Sequence, residues 1–204
     1  MTPAKATLLK CPFCGKEKEV ISLASGNTFR GRQWSDLKSV YPMLPKVSPI
    51  QKCPSCGSYF FTEHVEKRRG NDCSFEKGDL TYWELKEAAV QFGDSLEKKD
   101  RDTLNMLLLW AYNDLYNREG VDIKEAPFEE RDYIDDVHDE LLARDDVDNV
   151  VYAEFLREAG DFDDALNLLE RCHTEEEFLS KIVERMKHYA RERNTIAFEI
   201  NDLE

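Results

Sequence analysis

CPFCGKEKEVISLASGNTFRGRQWSDLKSVYPMLPKVSPIQKCPSCG, residues 11–57, opens and closes on the same five-residue pattern, Cys-Pro-x-Cys-Gly. Two residues between cysteines let both sulfurs of one tight turn face a single tetrahedral metal at about 2.3 Å. Gly15 and Gly57 allow the positive φ that carries the backbone beneath such a metal. Finding both features twice is far more specific than one C-x-x-C, so Cys11, Cys14, Cys53 and Cys56 are expected to bind zinc together. Four protein ligands leave no open position, and a site of that kind stabilises a fold without catalysing. The 38 residues between Cys14 and Cys53 exceed the roughly 15 to 20 of a compact four-cysteine pattern. The excess should project as an elaborated hairpin.

Redox chemistry is the competing reading. CPFC alone resembles the active-site dithiol of glutaredoxins, where a helix N-terminus lowers the first thiol's pKa, and the resemblance implies a thiol redox or metal-handling role. Here Gly15 follows the second cysteine, no clear amphipathic helix comes next, and the matching second motif is left unexplained. Cys172 continues an apolar helical face and reads as a small core residue. Cys73 and His64, nine residues apart, lack the second pair that a further metal site needs.

The enclosed stretch Ser25–Pro45 carries Phe29, Arg30, Arg32, Trp34, Lys38 and Tyr41. Aromatics stack on bases and arginines neutralise phosphate, so this is the composition of a single-stranded nucleic-acid surface. Two other uses fit the same residues. Trp34, Tyr41, Met43 and Leu44 would complete a core that a 70-residue module otherwise lacks. Alternatively, the basic loop docks on the chain's own acidic helices or on a second copy. In each case where the stretch meets a partner, Phe29, Arg30, Arg32 and Trp34 are the expected contacts.

Charge is divided along the chain. The net value of −14 combines residues 1–70, with 12 Lys and Arg against 5 Asp and Glu (+7), and the remaining 134 residues, with 16 against 37 (−21). Such asymmetry indicates two modules with different tasks. No apolar run approaches the roughly 20 residues of a membrane span, and Ala6–Leu9 is too short for the core of a secretion signal. The expected compartment is the cytoplasm, where closely spaced cysteines serve as metal ligands or redox groups more often than as disulfides.

Residues 1–70 read as short strands and turns, residues 71–80 as a linker, and residues 81–204 as an acidic all-helical domain. The polar run from Glu66 to Asp79, EKRRGNDCSFEKGD, belongs to that break. Thr81 and Glu84 form a capping-box pattern at the first helix, and Thr174 with Glu177 repeats it before the last. Leu104, Leu107, Leu108, Ala111, Tyr112 and Leu115 fall at helical spacing in a central helix. Tyr133, Val137 and Leu141 mark an acidic helix, with ten acidic residues and two arginines between Glu129 and Asp148. Gly160 is placed for a left-handed cap and Asp161 for the next N-cap, before a face of Phe162, Ala165, Leu166 and Leu169. The last helix should bury Phe178, Ile182, Met186 and Tyr189.

Ala153, Leu156, Gly160, Phe162, Ala165 and Leu169 resemble the consensus of a tetratricopeptide repeat, in which small residues let paired helices pack closely. The match covers about one repeat; the terminal proline is replaced by Glu177. More broadly, paired CPxCG motifs enclosing SGNTF, WSD and PMLP and followed by helical sequence resemble uncharacterised bacterial zinc-ribbon proteins fused to tetratricopeptide-like helical hairpins. The resemblance implies an architecture and a bacterial source but no activity. The expected fold is α+β and multidomain: a small β-rich, four-cysteine zinc-ribbon-like module and an all-α tetratricopeptide-like domain.

There is no glycine-rich phosphate loop, G-x-S-x-G elbow or H-E-x-x-H motif. The expected function is therefore that of a non-enzymatic adaptor with a protein or peptide partner, with nucleic-acid binding through the basic module as the rival. Asp132, Asp135, Asp136 and Asp139 would steer a basic partner. Oligomeric state is not encoded legibly.

Overall fold

The computed structural model describes residues 2–3, 5–20, 23–44, 47–72, 79–120 and 125–201. Among the described residues the class is α+β, with small sheets in the N-terminal part and six α-helices after them. Cys73 and most of the expected linker lie outside the described residues. The chain divides into two compact units, Met1–Gly31 with Val40–Leu104, and Arg32–Ser39 with Asn105–Glu204.

The first strands are β1 (Thr2–Pro3), β2 (Lys5–Lys10), β3 (Glu17–Val20) and β4 (Leu23–Ser25), with β1 paired to β4. β2 and β3 form a hairpin from Thr7↔Val20 to Lys10↔Glu17, and the first cysteine motif is its turn. Next comes a short ladder of β5 (Arg32–Gln33) and β6 (Ser39–Val40). β7 (Ile50–Lys52) and β8 (Tyr59–Phe61) form a further hairpin, Ile50 opposite Phe61, whose turn is the second motif. β9 (Lys67–Asp72) then pairs with the free side of β2, giving the order β3-β2-β9. The Glu66–Asp79 run, a polar linker candidate in the sequence, thus begins as a strand, four of whose residues fall within the expected 1–70 module. Lys67 and Arg68 are exposed on an edge strand, where charge is tolerated and discourages pairing with other chains. Arg68 pairs with Glu17 of β3.

Leu9, Cys11, Val20, Cys53 and Phe60 form the core of these hairpins, with Val65 against it. α1 (Tyr82–Phe92) opens on the expected capping box: Glu84 N–H donates to Thr81 Oγ1 at 3.3 Å, and Thr81 N–H to Glu84 Oε2 at 3.1 Å. Tyr82, Leu85 and Ala88 are its buried face. The Gln91 amide completes the edge of β8, accepting from Tyr59 N–H and donating to Tyr59 O, both at 2.8 Å. The Tyr59 hydroxyl donates to Glu87 at 2.5 Å, and the Phe61 and Phe92 rings lie 5.0 Å apart.

α2 (Lys98–Tyr112) contains the division between units, after Leu104. Leu104, Leu108, Leu109 and Tyr112 are buried, while Leu115 is exposed. The stripe breaks because Asn113–Asn117 is a π-helix, whose wider turn rotates later side chains out of phase. α3 (Phe128–Leu142) buries Ile134, Val137, His138 and Leu141. α4 (Asn149–Ala159) and α5 (Phe162–Leu169) form a helical hairpin. Gly160 at φ 91° closes α4, its N–H donating to Arg157 O while Asp161 N–H reaches Leu156 O. Asp161 occupies the N-cap position of α5 without a side-chain capping bond.

α6 (Glu177–Arg191) departs from expectation at two places. Thr174 Oγ1 accepts from Glu176 N–H, a local turn that leaves Glu176 as the N-cap in place of the expected capping box. The buried stripe is Val183, Met186 and Ala190, with Phe178, Ile182 and Tyr189 only half-buried beside it. Ala153, Leu169, Val183, Met186 and Phe198 form the core here, which brings the segment after α6 inside the unit.

Candidate metal centre

Each cysteine pair is set by its own hairpin turn, and the two turns repeat one another bond for bond. Cys11 N–H donates to Lys16 O at 2.8 Å and Gly15 N–H to Cys11 O at 3.0 Å; Cys53 N–H donates to Ser58 O at 2.8 Å and Gly57 N–H to Cys53 O at 2.9 Å. Gly15 and Gly57 have φ of 70° and 76°, and an added Cβ would meet nothing within 4 Å at either. Glycine is needed there for its backbone conformation, not for space.

The four sulfurs lie within 4.8 Å of one another. Cys11 Sγ is 3.7 Å from Cys56 Sγ, and Cys14 Sγ is 3.7 Å from Cys53 Sγ. Four bonds of about 2.3 Å in a tetrahedron place neighbouring sulfurs about 3.8 Å apart, whereas a disulfide needs about 2.05 Å. All four are free thiols. The set therefore fits a tetrahedral metal ion and not a disulfide pair. Cys11 and Cys53 are buried in the core while Cys14 and Cys56 are exposed, so an ion would sit at the margin of the sheet unit.

The electrostatics point the same way. The Ser58 hydroxyl, and then its backbone N–H, lower the Cys56 thiol to about 6. At Cys14 the Lys16 N–H pulls downward, but burial and the neighbouring Cys56, Cys11 and Cys53 sulfurs together push the thiol up to about 12. The Cys56 thiolate forms readily, whereas the crowding of sulfurs opposes the Cys14 thiolate. A bound cation removes that opposition. Among the described residues, these cysteines are the one group of three or more His, Cys, Asp or Glu placed to hold a metal. His64, weighed as a partner for Cys73, lies 2.6 Å from Asp100.

The stretch between the cysteine pairs separates into two parts. Phe29 and Arg30 stand in a tight turn, with Gly31 N–H donating to Thr28 O at 2.9 Å and Arg30 at φ 57°. Phe29 is 69% exposed, and the Arg30 guanidinium lies 5.6 Å from its ring centre. Arg32, Trp34 and Lys38 belong instead to the helical unit. Arg32 Nε donates to Glu199 Oε2 at 2.9 Å and Lys38 pairs with Asp114. Trp34 is 6% exposed, with the Arg32 and Arg118 guanidinium carbons 4.8 and 4.7 Å from its ring centre.

Asp36 is the residue that sequence reasoning passed over. Its side chain is fully buried. Arg118 grips the carboxylate through Nη2 at 2.6 Å and Nη1 at 3.3 Å, and Asn113 Nδ2 donates to it at 3.0 Å. Trp110 Nε1 donates to the Asp36 carbonyl at 2.8 Å. Asn113 also donates to Glu158 at 3.0 Å. Beside it, Arg157 donates to Glu154 and to the Asn194 and Ile196 carbonyls. The available signal was WSD itself, an isolated acidic residue beside tryptophan in a basic stretch. No protein-family model, curated protein or solved structure matches the chain.

Proposed function

We propose that the protein is a non-enzymatic interaction or adaptor protein whose N-terminal unit is a zinc-ribbon-like module built on one structural zinc. The observation that carries this reading is the 3.7 Å sulfur spacing across the two motifs, which matches the edge of a zinc–tetrathiolate tetrahedron. Bound there, zinc supplies a structural cross-link and neutralises the thiolates. Cys11, Cys14, Cys53 and Cys56 hold it and leave no position for a substrate. Free thiols favour a reducing, cytoplasmic setting.

Two surfaces support the interaction role. Phe29 and Arg30 are displayed together on a turn, and Asp132, Asp135, Asp136 and Asp139 stand exposed on one side of α3. Burial, followed by the charges of Asp132, Asp139 and Asp136, raises the Asp135 carboxyl, as expected where like charges crowd. A basic protein or peptide segment relieves that repulsion. The α4–α5 hairpin, with Ala153 and Ala165 fully buried, supports a tetratricopeptide-like reading of this part. The nucleic-acid alternative loses Trp34 as a stacking platform and is left with Phe29 and Arg30.

The test combines metal analysis with binding of mixed-sequence single-stranded DNA and RNA across a salt series. One zinc per chain and no nucleic-acid binding is the expected result. Binding that weakens steeply with salt and is lost in Phe29→Ala/Arg30→Ala would establish the alternative; zinc-free protein with reactive thiols would overturn the structural-zinc reading.

A further inference from the structure

We propose that residues 32–39 are a metal-dependent latch: metal on the four cysteines favours seating of the Trp34–Asp36 turn in the helical unit, and loss of the metal releases it. The inference rests on the zinc reading above and adds to it a consequence for the rest of the chain.

Chain connectivity supplies the first premise. The 38-residue insertion between Cys14 and Cys53 leaves the first unit at Arg32 and re-enters it at Val40. The residues between are bound as a peptide ligand would be. Ser35 N–H donates to Phe198 O at 2.9 Å, Phe198 N–H to Ser35 Oγ at 3.0 Å, and Ile200 N–H to Gln33 O at 2.9 Å. This backbone pairing sets the register, and the Asp36 carboxylate enters the Arg118–Asn113 seat.

The seat supplies the second premise, because it has no comfortable half-open state. Withdrawal of Asp36 leaves the Arg118 guanidinium, 3% exposed, with only the partly exposed Asp114 carboxylate as counter-charge and deprives Asn113 of one of its two acceptors. Breaking a buried pair on one side is strongly unfavourable. The hairpin therefore goes in or out as a unit, which is the two-state element a switch requires.

The third premise is the buried cluster of the two cysteine hairpins, in which two of five residues are Cys11 and Cys53. A cluster that counts metal ligands among its members depends on the metal for its packing. With the metal bound, both ends of the insertion are held together, so seating its middle costs less chain entropy than in a loop with free ends. Linkage makes the effect reciprocal: whatever factor the metal adds to seating, seating adds to metal affinity.

The experiment uses the full-length chain, zinc-loaded and chelator-stripped, followed by amide hydrogen exchange. The latch predicts that amides of 33–35 and 198–200 exchange about tenfold faster after zinc removal, while those of α5 change little. In the reciprocal arm, Asp36→Asn and the milder Arg32→Ala should surrender zinc to a competing chelator at several-fold lower concentration than the native chain. Arg32→Ala removes the Glu199 pair and the contact with the Trp34 ring but leaves the buried Asp36 seat in place, so it keeps the test informative should Asp36→Asn fail to fold. Full zinc binding with unchanged exchange at 33–35 overturns the latch and leaves the zinc reading intact. A chain that binds no zinc removes both.

Discussion

Two buried titratable side chains set opposite pH dependences in the helical unit. Burial lowers His138 to about 4, against the smaller opposing pull of Asp139. The unfolded chain then binds a proton that the native chain refuses, so stability falls as pH drops from about 6.5 toward 4, by roughly 3 kcal/mol. His138→Leu should flatten that fall in denaturant midpoints measured at pH 7 and pH 4.5; an unchanged slope would place the acid sensitivity elsewhere. Glu158 behaves inversely. Burial, then the charges of Glu154 and Asp36, raises its carboxyl well above the usual range. Its contribution is complete below the ordinary carboxylate pKa and is lost as pH rises through the folded value. Glu158→Gln keeps an acceptor for Asn113 and should be more stable than the native chain at pH 9, with the gap closing at acid pH. A native chain of equal or greater stability at pH 9 would contradict this.

Local chemistry made some elements plain and hid others. The Thr81–Glu84 box and the Gly160 cap depend on neighbours within five residues, and both form where the sequence places them. Thr174 carries the same T-x-x-E pattern, but its hydroxyl is taken by a turn two residues long. β9 was illegible because its Lys-Arg-Arg run suits solvent as well as a sheet edge; only β2 decides between them. The π-turn at Asn113 could not be read from periodicity, since its function is to interrupt one. The docking of α1 was equally hidden, since part of it is one amide that pairs with a strand edge. Gln91→Ala leaves Tyr59 N–H and O unpartnered and should cost about 1–3 kcal/mol, measured by thermal unfolding with near-ultraviolet dichroism. A loss below about 0.5 kcal/mol, the size of an ordinary surface change, would show that Glu87 and Phe92 hold α1 without it.

Across the chain, legibility followed the range of the forces involved. The cysteine set was readable because metal geometry demands local spacing, and the two turns then meet with sulfurs at 3.7 Å. The fate of the enclosed stretch was not readable. Arg32 finds Glu199 at a separation of 167 residues, and Asp36 finds Arg118 at 82. The +7 and −21 charge division is thus partly spent within the helical unit, where Arg32 and Lys38 meet Glu199 and Asp114. The most direct measurement is the metal content of the purified full-length chain beside Cys53→Ser, with circular dichroism before and after chelation. The account predicts one zinc per native chain, none retained by the variant, and loss of β structure on chelation while helical signal largely persists. A metal-free native chain with intact β structure, or one whose cysteines have paired as disulfides, would contradict it.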